Sequence, residues 1–468
     1  MLVINGEIDG RPGLDVRVDA ERILQVGPGL ARATGESVLD ARGGAVLPGL
    51  HDHHVHLRAA AAANRSLRLD QVSDPADFDR RIRAAVADRS DQSWLRGVGW
   101  HEPTAGTVDR ARLDTLAGHR PVRLQHRGGA LWVLNTRALA ETGALTSDLT
   151  GVERDPDGVA TGRLWRLDGW LRERIGTRYD PPGFARELAG LSAHAAQLGV
   201  TGFTDATPDR DQDDVDDFTE LSRTGAISQR LVLMAPPGLA RPPSPRVRLG
   251  VQKLILDDVS LPVDLGLRIA ASHAAAVPVA IHCVTPEQLV VAVAALEEAG
   301  PLAGDRIEHA AVVPPGYASQ LHALGVAVVT QPGFIAERGD DYRREVAVDE
   351  QPWLYPCGSL RRAGVSVAVG TDLPFGPDDP WLSIVTACSR RTRSGVVLGP
   401  DEHVEPAAAL RLFLADPLVL SRIRRVAVGE PGDLCVLERP LNEVLTGFGR
   451  WRAGDNPVRA VVMAGSAG

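Results

Sequence analysis

Pro278-Val-Ala-Ile-His-Cys283, followed after two residues by Pro286-Glu-Gln-Leu-Val-Val-Ala-Val-Ala-Ala-Leu-Glu-Glu-Ala299, is a short apolar run that hands over to an alanine- and leucine-rich stretch. The first part reads as a buried strand and the second as a helix. The same alternation recurs along the middle of the chain. Strand candidates are residues 45–47 running into His56, then 200–205, 230–234, 251–256, 278–283, 306–309, 326–331 and 365–372, eight in all. Short apolar strands separated by helices pair in parallel. Eight such units predict an α/β chain folded as a (β/α)8 TIM barrel.

The two ends read differently. Leu2-Val-Ile-Asn-Gly6, Leu14-Asp-Val-Arg-Val18 and Arg22-Ile-Leu-Gln-Val-Gly27 are short strands broken by turns. Gly432-Asp-Leu-Cys-Val-Leu437 and Val458-Arg-Ala-Val-Val-Met463 return to that style. They predict a small composite β-sandwich domain made of 1–47 and 410–468, around a barrel spanning 48–409. Between the first two barrel strands lie about 140 residues that one helix cannot absorb. This stretch carries five of the eight tryptophans, Trp94, Trp100, Trp132, Trp165 and Trp170, and a strand-like run at 121–125. It reads as an inserted lobe over about 60–185, rising from the catalytic face of the barrel. The tryptophans fit the lobe's own core somewhat better than an aromatic substrate pocket.

Bulk composition narrows the function. Over 468 residues, 44% hydrophobic and 24% charged content are those of a globular enzyme. A net charge of −9 and a pI near 5.8 argue against nucleic-acid and anionic-membrane partners. Cys283, Cys357, Cys388 and Cys435 show no C-x-x-C spacing, and the N-terminus has no basic-then-apolar signal pattern. A cytoplasmic protein with a small-molecule substrate is expected, and a homo-oligomer stays open.

One residue stands apart. Of 51 basic residues fifty are arginine, and the one lysine, Lys253, sits in the apolar run Gly250-Val-Gln-Lys-Leu-Ile-Leu256. A guanidinium is always protonated, whereas a buried lysine can become a neutral amine. Such an amine captures carbon dioxide as a carbamate, whose two oxygens can bridge two metal ions. The bland alternative is a snorkelling lysine.

Pro48-Gly-Leu-His-Asp-His-His-Val-His56 closes the first strand. His54 and His56, two apart, share one face of a strand, and so do His51 and His53 on the other face. Register decides between the pairs. His282, His309 and Asp372 each lie at the carboxyl end of a separate candidate strand, where barrel catalytic groups converge. Together with Lys253 they make a nitrogen–oxygen set suited to two divalent ions, zinc foremost.

This pattern resembles the amidohydrolase superfamily, whose motif is Pro-Gly-hydrophobic-x-Asp-x-His-x-His followed by Lys, His, His and Asp. It is most similar to amidohydrolase family 3, the branch with N-substituted formamide deformylases. Arg306-Ile-Glu-His309, Gly370-Thr-Asp-Leu-Pro374 and Gly429-Glu-Pro-Gly-Asp-Leu434 carry the likeness. The resemblance favours His54 and His56 over the earlier pair. It implies a metal-dependent hydrolase that cleaves an amide-type C–N bond, of an N-substituted formamide or related small amide, through a metal-bridging hydroxide. His54, His56, Lys253, His282, His309 and Asp372 are the implied metal ligands, with Asp372 also the catalytic base and acid.

Some features depart from the branch or pull elsewhere. Asp257-Asp258-Val259-Ser260 stands where Asp-Gly-Ser is usual, and Ala130 stands where a histidine often precedes Asn135, with His126 nearby as a substitute. A lactonase or esterase fits the same metals. A mononuclear deaminase would want a glutamate where Thr285 stands, and loss of metals in a non-catalytic homologue conflicts with a full ligand set. Asp209, Asp211, Asp213 and Glu220 match EF-hand spacing, but Asp214 occupies the glycine position. Cys283 reads as a buried thiol rather than a nucleophile.

Overall fold

The computed structural model describes residues 1–19, 21–88, 93–175, 181–256, 265–452 and 454–463. The chain divides into two compact units, one of Met1–Leu57 with Ala189–Gly468 and one of Arg58–Leu188.

In the first unit the chain ends build a shared β-core. Leu2–Ile8 lies between Arg11–Val18, which is antiparallel to it, and Val38–Asp40, which is parallel. Leu434–Leu437 runs antiparallel to both Val458–Val462 and Val46–Pro48. Val3, Val16 and Ile23 from the start of the chain bury against Leu434, Val436 and Val462 from its end. Alternation of these apolar residues with exposed ones is what a sheet with one wet face requires.

The rest of this unit is α/β. Leu50–Val55, Val200–Asp205, Arg230–Leu233 and Val247–Leu249 form one parallel sheet. Gln252–Ile255, Val279–Cys283, Arg306–His309, Ala327–Thr330 and Val367–Val369 form a second. Helices such as Leu265–Ala274 and Pro286–Ala299 connect them. Pro286–Ala299 starts cleanly: Thr285 and Gln288 make a reciprocal capping box, and Pro286 occupies the first turn, where no N–H is needed.

Hydrogen bonds tie the sheets at both margins. Val247–Leu249 and Gln252–Ile255 are separated by two residues; there Gly250 donates to Leu233 O at 2.8 Å, and Gln252 to Pro278 O at 2.8 Å. At the other margin Asp372 N donates to His54 O and His56 N to Leu373 O, both at 2.8 Å. Gly370 makes that approach feasible, because a Cβ there would stand 2.5 Å from His54 N and Cβ.

The expected first strand is divided. Val46–Pro48 belongs to the β-core sheet, and Leu50–Val55 to the parallel sheet. Gly49 makes the transfer: a Cβ at this position would meet Thr201 Oγ1 at 2.1 Å, so only glycine lets the chain cross so near the Val200–Asp205 strand.

The second unit has a six-stranded sheet, ordered Val152–Arg154, Ala160–Trp165, Leu131–Leu134, Val122–His126, Leu95–Trp100 and Leu67–Arg68. All five insert tryptophans are used here. Trp100 is buried with Phe78, Ile82 and Leu113, and Trp165 packs on that cluster. Trp132 is buried with Leu139 and Leu164, and Trp94 and Trp170 pack on those. Among the described residues no helix is long and apolar enough to cross a membrane.

The tight margin at Gly370 gives a test. Gly370→Ala is expected to destabilise the protein by roughly 1–3 kcal/mol, the usual range for overpacking. Chemical denaturation checks it, and a wild-type midpoint would show that the two margins are not held this closely.

Candidate metal centre

Leu50–Val55 is buried throughout, so each of its side chains must find a partner inside. Asp52, His54 and His56 share one parity. Asp52 accepts from Thr371 N at 2.9 Å, from Thr371 Oγ1 at 2.5 Å and from His54 N at 3.3 Å. These bonds clamp the histidine strand to the segment that carries Asp372. Burial nevertheless pushes the Asp52 carboxyl up to about 7.

His54 Nε2 lies 3.6 Å and His56 Nε2 3.4 Å from the same oxygen, Asp372 Oδ1. The His309 ring is 4.7 Å from that of His54 and 4.5 Å from that of His282, centroid to centroid. Ligand atoms of His54, His309 and Asp372 all fall within 4.8 Å of one another. His51 and His53 face elsewhere. His51 Nε2 is 2.9 Å from Thr204 Oγ1, its ring is 4.7 Å from that of His53, and neither nitrogen of His53 has a hydrogen-bond partner.

Lys253 pairs in register with Ala280, one strand from His282, and is 4% exposed. Its Nζ has no hydrogen-bond partner. Burial brings its pKa down to about 8, against the opposing pull of the Glu308 and Asp372 carboxylates. The imidazoles of His54 and His309 are likewise held neutral. Burial lowers His54 well below its ordinary value and takes His309 down to about 3. Neutral imidazole is the form that ligates a metal.

Two carbonyl-type acceptors aim these rings. Glu308 Oε2 takes the Nδ1 hydrogen of His54, and Gln331 Oε1 lies 2.8 Å from His309 Nδ1. Each ring is thereby left with Nε2 for a ligand, the usual arrangement around a metal-binding histidine. Glu308 Oε1 also lies 2.5 Å from Arg306 Nε. In the sequence Glu308 and Gln331 are legible only as parts of strands. Their position beside a histidine and at a strand end was the available signal.

Three buried atoms in this cluster, His54 Nε2, Asp372 Oδ1 and Lys253 Nζ, make no hydrogen bond. Unmet buried polar atoms are rare and costly. His309 at φ 69° and Asp372 at φ 59° also occupy the left-handed region, which such side chains seldom adopt. Burial, unmet donor and acceptor atoms, and backbone strain coincide at one place. The donor set fits a divalent cation.

Other residues singled out from sequence lie apart from this cluster. His126 Nε2 is 3.1 Å from Glu102 Oε2, and its Nδ1 accepts from Gly128 N at 3.0 Å, both within the second unit. Asp211 caps helix Gln212–Arg223 by accepting from Asp214 N. Cys283 is buried with its thiol pKa raised by desolvation. Asp257, Asp258 and Ser260 lie outside the described residues.

Comparison with known proteins gives the family and the fold of the chain. A model described as "Amidohydrolase family" matches residues 37–460. Protein LONG AFTER FAR-RED 3 of Arabidopsis thaliana is 25% identical, covering 83% of this chain and 78% of that protein. N-substituted formamide deformylase of Arthrobacter pascens is 24% identical, covering 89% and 88%. Among solved structures, an uncharacterized metal-dependent hydrolase from Pyrococcus horikoshii OT3 aligns with a TM-score of 0.73 at 21% identity, covering 94% of this chain and 96% of that one. Atrazine chlorohydrolase from Arthrobacter aurescens TC1, complexed with zinc, aligns with a TM-score of 0.59 at 15% identity, covering 99% and 94%.

If Glu308 aims His54 at a metal, Glu308→Gln should lower metal affinity by about 10–100-fold, as loss of such a partner typically does. Dialysis against graded chelator, with circular dichroism to verify folding, measures this. Wild-type metal retention in a folded variant would remove Glu308 from that role.

Proposed function

Because the chain belongs to the amidohydrolase family, we propose that its buried His–Lys–Asp cluster holds two divalent ions, zinc foremost, and hydrolyses an amide-type C–N bond of a small molecule. The family makes the chain a metal-dependent hydrolytic enzyme. The observation that carries the finer reading is the set of unmet buried atoms at His54, Asp372 and Lys253. A cation answers the first two. A carbamate on Lys253, formed from carbon dioxide, answers the third by turning a stranded donor into two acceptors.

In this reading His54 and His56, with Asp372, would hold the more buried ion. His282 and His309 would hold the other, and the Lys253 carbamate would lie between them. Bound divalent ions supply Lewis-acid polarisation of a carbonyl and lower the pKa of a coordinated water. The chain's own groups do the rest. Glu308 holds the Nδ1 hydrogen of His54 and so keeps Nε2 as the lone-pair nitrogen. The Asp372 carboxylate takes a proton from the attacking water and returns it to the leaving nitrogen, one group serving first as base and then as acid.

The same reading joins the two parallel sheets into one closed (β/α)8 barrel over 48–409, with the lobe at about 60–185 inserted after its first strand, and 1–47 with 410–468 as a composite β-sandwich domain. It places the enzyme in the cytoplasm. For substrate we favour an N-substituted formamide, on the likeness to the Arthrobacter pascens deformylase. The insert tryptophans add nothing to this choice, since they pack in the insert's own cores. Deamination is disfavoured: Thr285, where a proton-donating glutamate would be wanted, is occupied as a helix cap.

The purified enzyme should carry close to two divalent ions per chain, and Lys253→Ala and Lys253→Arg should both lose metal and activity. Arginine cannot form the carbamate. Elemental analysis decides the matter, and full occupancy in Lys253→Arg would exclude the bridging role. Separately, kcat/KM for N-benzylformamide should exceed that for a charged N-acyl amino acid and for a lactone. A charged or ester substrate ahead by about tenfold, roughly 1.4 kcal/mol of transition-state binding, would overturn the formamide assignment and leave the metal chemistry standing.

A further inference from the structure

A cavity of about 250 Å³ lies against the parallel strands, and none of the proposed metal ligands lines it. Its lining includes Gly250 and Val251, just before Gln252–Ile255, Val277 and Pro278, just before Val279–Cys283, and Arg306, the first residue of its strand. Thr204, Val232 and Leu249 line it from the carboxyl halves of three other strands.

Two cations line this cavity. Arg306 is only 2% exposed, and neither its Nε nor its Nη2 makes a hydrogen bond. Glu308 Oε1 stands 2.5 Å from Nε and offsets part of the charge, which leaves Nη2 as the nitrogen with no acceptor nearby. Arg241 is exposed and, among the described residues, has no ion-pair partner. None of the described lining residues is acidic. The lining also offers apolar side chains, Val232, Leu249, Val277 and a 40% exposed Leu418, with Thr204 beside them.

A guanidinium keeps its five donors at every physiological pH, and its planar fork matches a carboxylate. A buried fork with an unmet Nη2, facing a cavity whose described lining is mostly apolar and holds no acidic residue, calls for an anion with a hydrocarbon body. We propose that this cavity binds an organic monocarboxylate, its carboxylate on Arg306 and Arg241 and its apolar part along Val232, Val277 and Leu418. The site shares no residue with the proposed metal ligands, although Arg306 meets their network through Glu308, and it does not depend on which substrate the hydrolytic site takes.

Titration calorimetry of the metal-replete full chain with sodium octanoate tests it, with octylamine and inorganic phosphate as comparison ligands. One saturable octanoate per chain is expected, with octylamine and phosphate at least about tenfold weaker. Arg241→Glu and Leu418→Glu, at the cavity and outside the catalytic machinery, should each weaken octanoate at least about fivefold while turnover is unchanged. Octanoate binding undiminished by both substitutions would place it at the metal cluster and overturn the proposal. So would the absence of saturable binding, or phosphate binding as tight as octanoate.

Discussion

The hydrogen bond from Asp372 N to His54 O is the constraint on which the site depends. It fixes a carboxylate from the end of the chain's last parallel strand against a histidine from its first, more than three hundred residues earlier in sequence. Asp52 reinforces it by taking both the backbone and the hydroxyl hydrogens of Thr371. With the backbones locked, His54 Nε2 and Asp372 Oδ1 are held 3.6 Å apart although neither gains a hydrogen bond. Free side chains would turn away from such a position. The cost is sustained by the surrounding strands, as is the left-handed backbone at Asp372.

Glu308 links this lock to its surroundings. One oxygen takes His54 Nδ1, the other faces Arg306, and its charge acts on Lys253. A single buried carboxylate thus orients a ring, offsets a guanidinium and opposes the loss of the lysine proton. Replacing it by a neutral amide changes all three at once, so its effect is read as the coupling of a network rather than as one bond.

The parallel strands were legible because burial on both faces leaves continuous apolar runs, and His282, His309 and Asp372 stood out as polar residues terminating them. Register could not be read from spacing: His51–His53 and His54–His56 are equivalent on paper, and only tertiary neighbours such as Thr204 and Asp372 separate them. The break at Gly49 was hidden for the same reason, since it depends on the side chain of Thr201 passing 2.1 Å from a Cβ that is not there. Composition likewise could not tell whether the insert's tryptophans form a pocket or a core. Glu308 and Gln331 went unread because orienting a ligand demands only an acceptor, which many residue types supply.

The housing of two other buried cations sharpens the meaning of Lys253. Arg390, fully buried, donates to Leu398 O at 3.0 Å and Tyr355 O at 2.9 Å. Arg424 donates to Ala415 O and Phe413 O, both at 3.2 Å. These side chains are housed as structural cations are, among backbone carbonyls. Lys253 has no such housing. Its amine is buried with no acceptor in reach, while neutral imidazoles and an unbonded carboxylate oxygen stand in the same cluster. An ammonium would be poorly served there by hydrogen bonding, and an arginine fork would be worse served still, with five donors to satisfy instead of three. In a chain that uses arginine for every other lysine-or-arginine position, the exception falls where a buried amine has no hydrogen-bond acceptor and where a side chain able to lose its proton is better suited than a permanent cation.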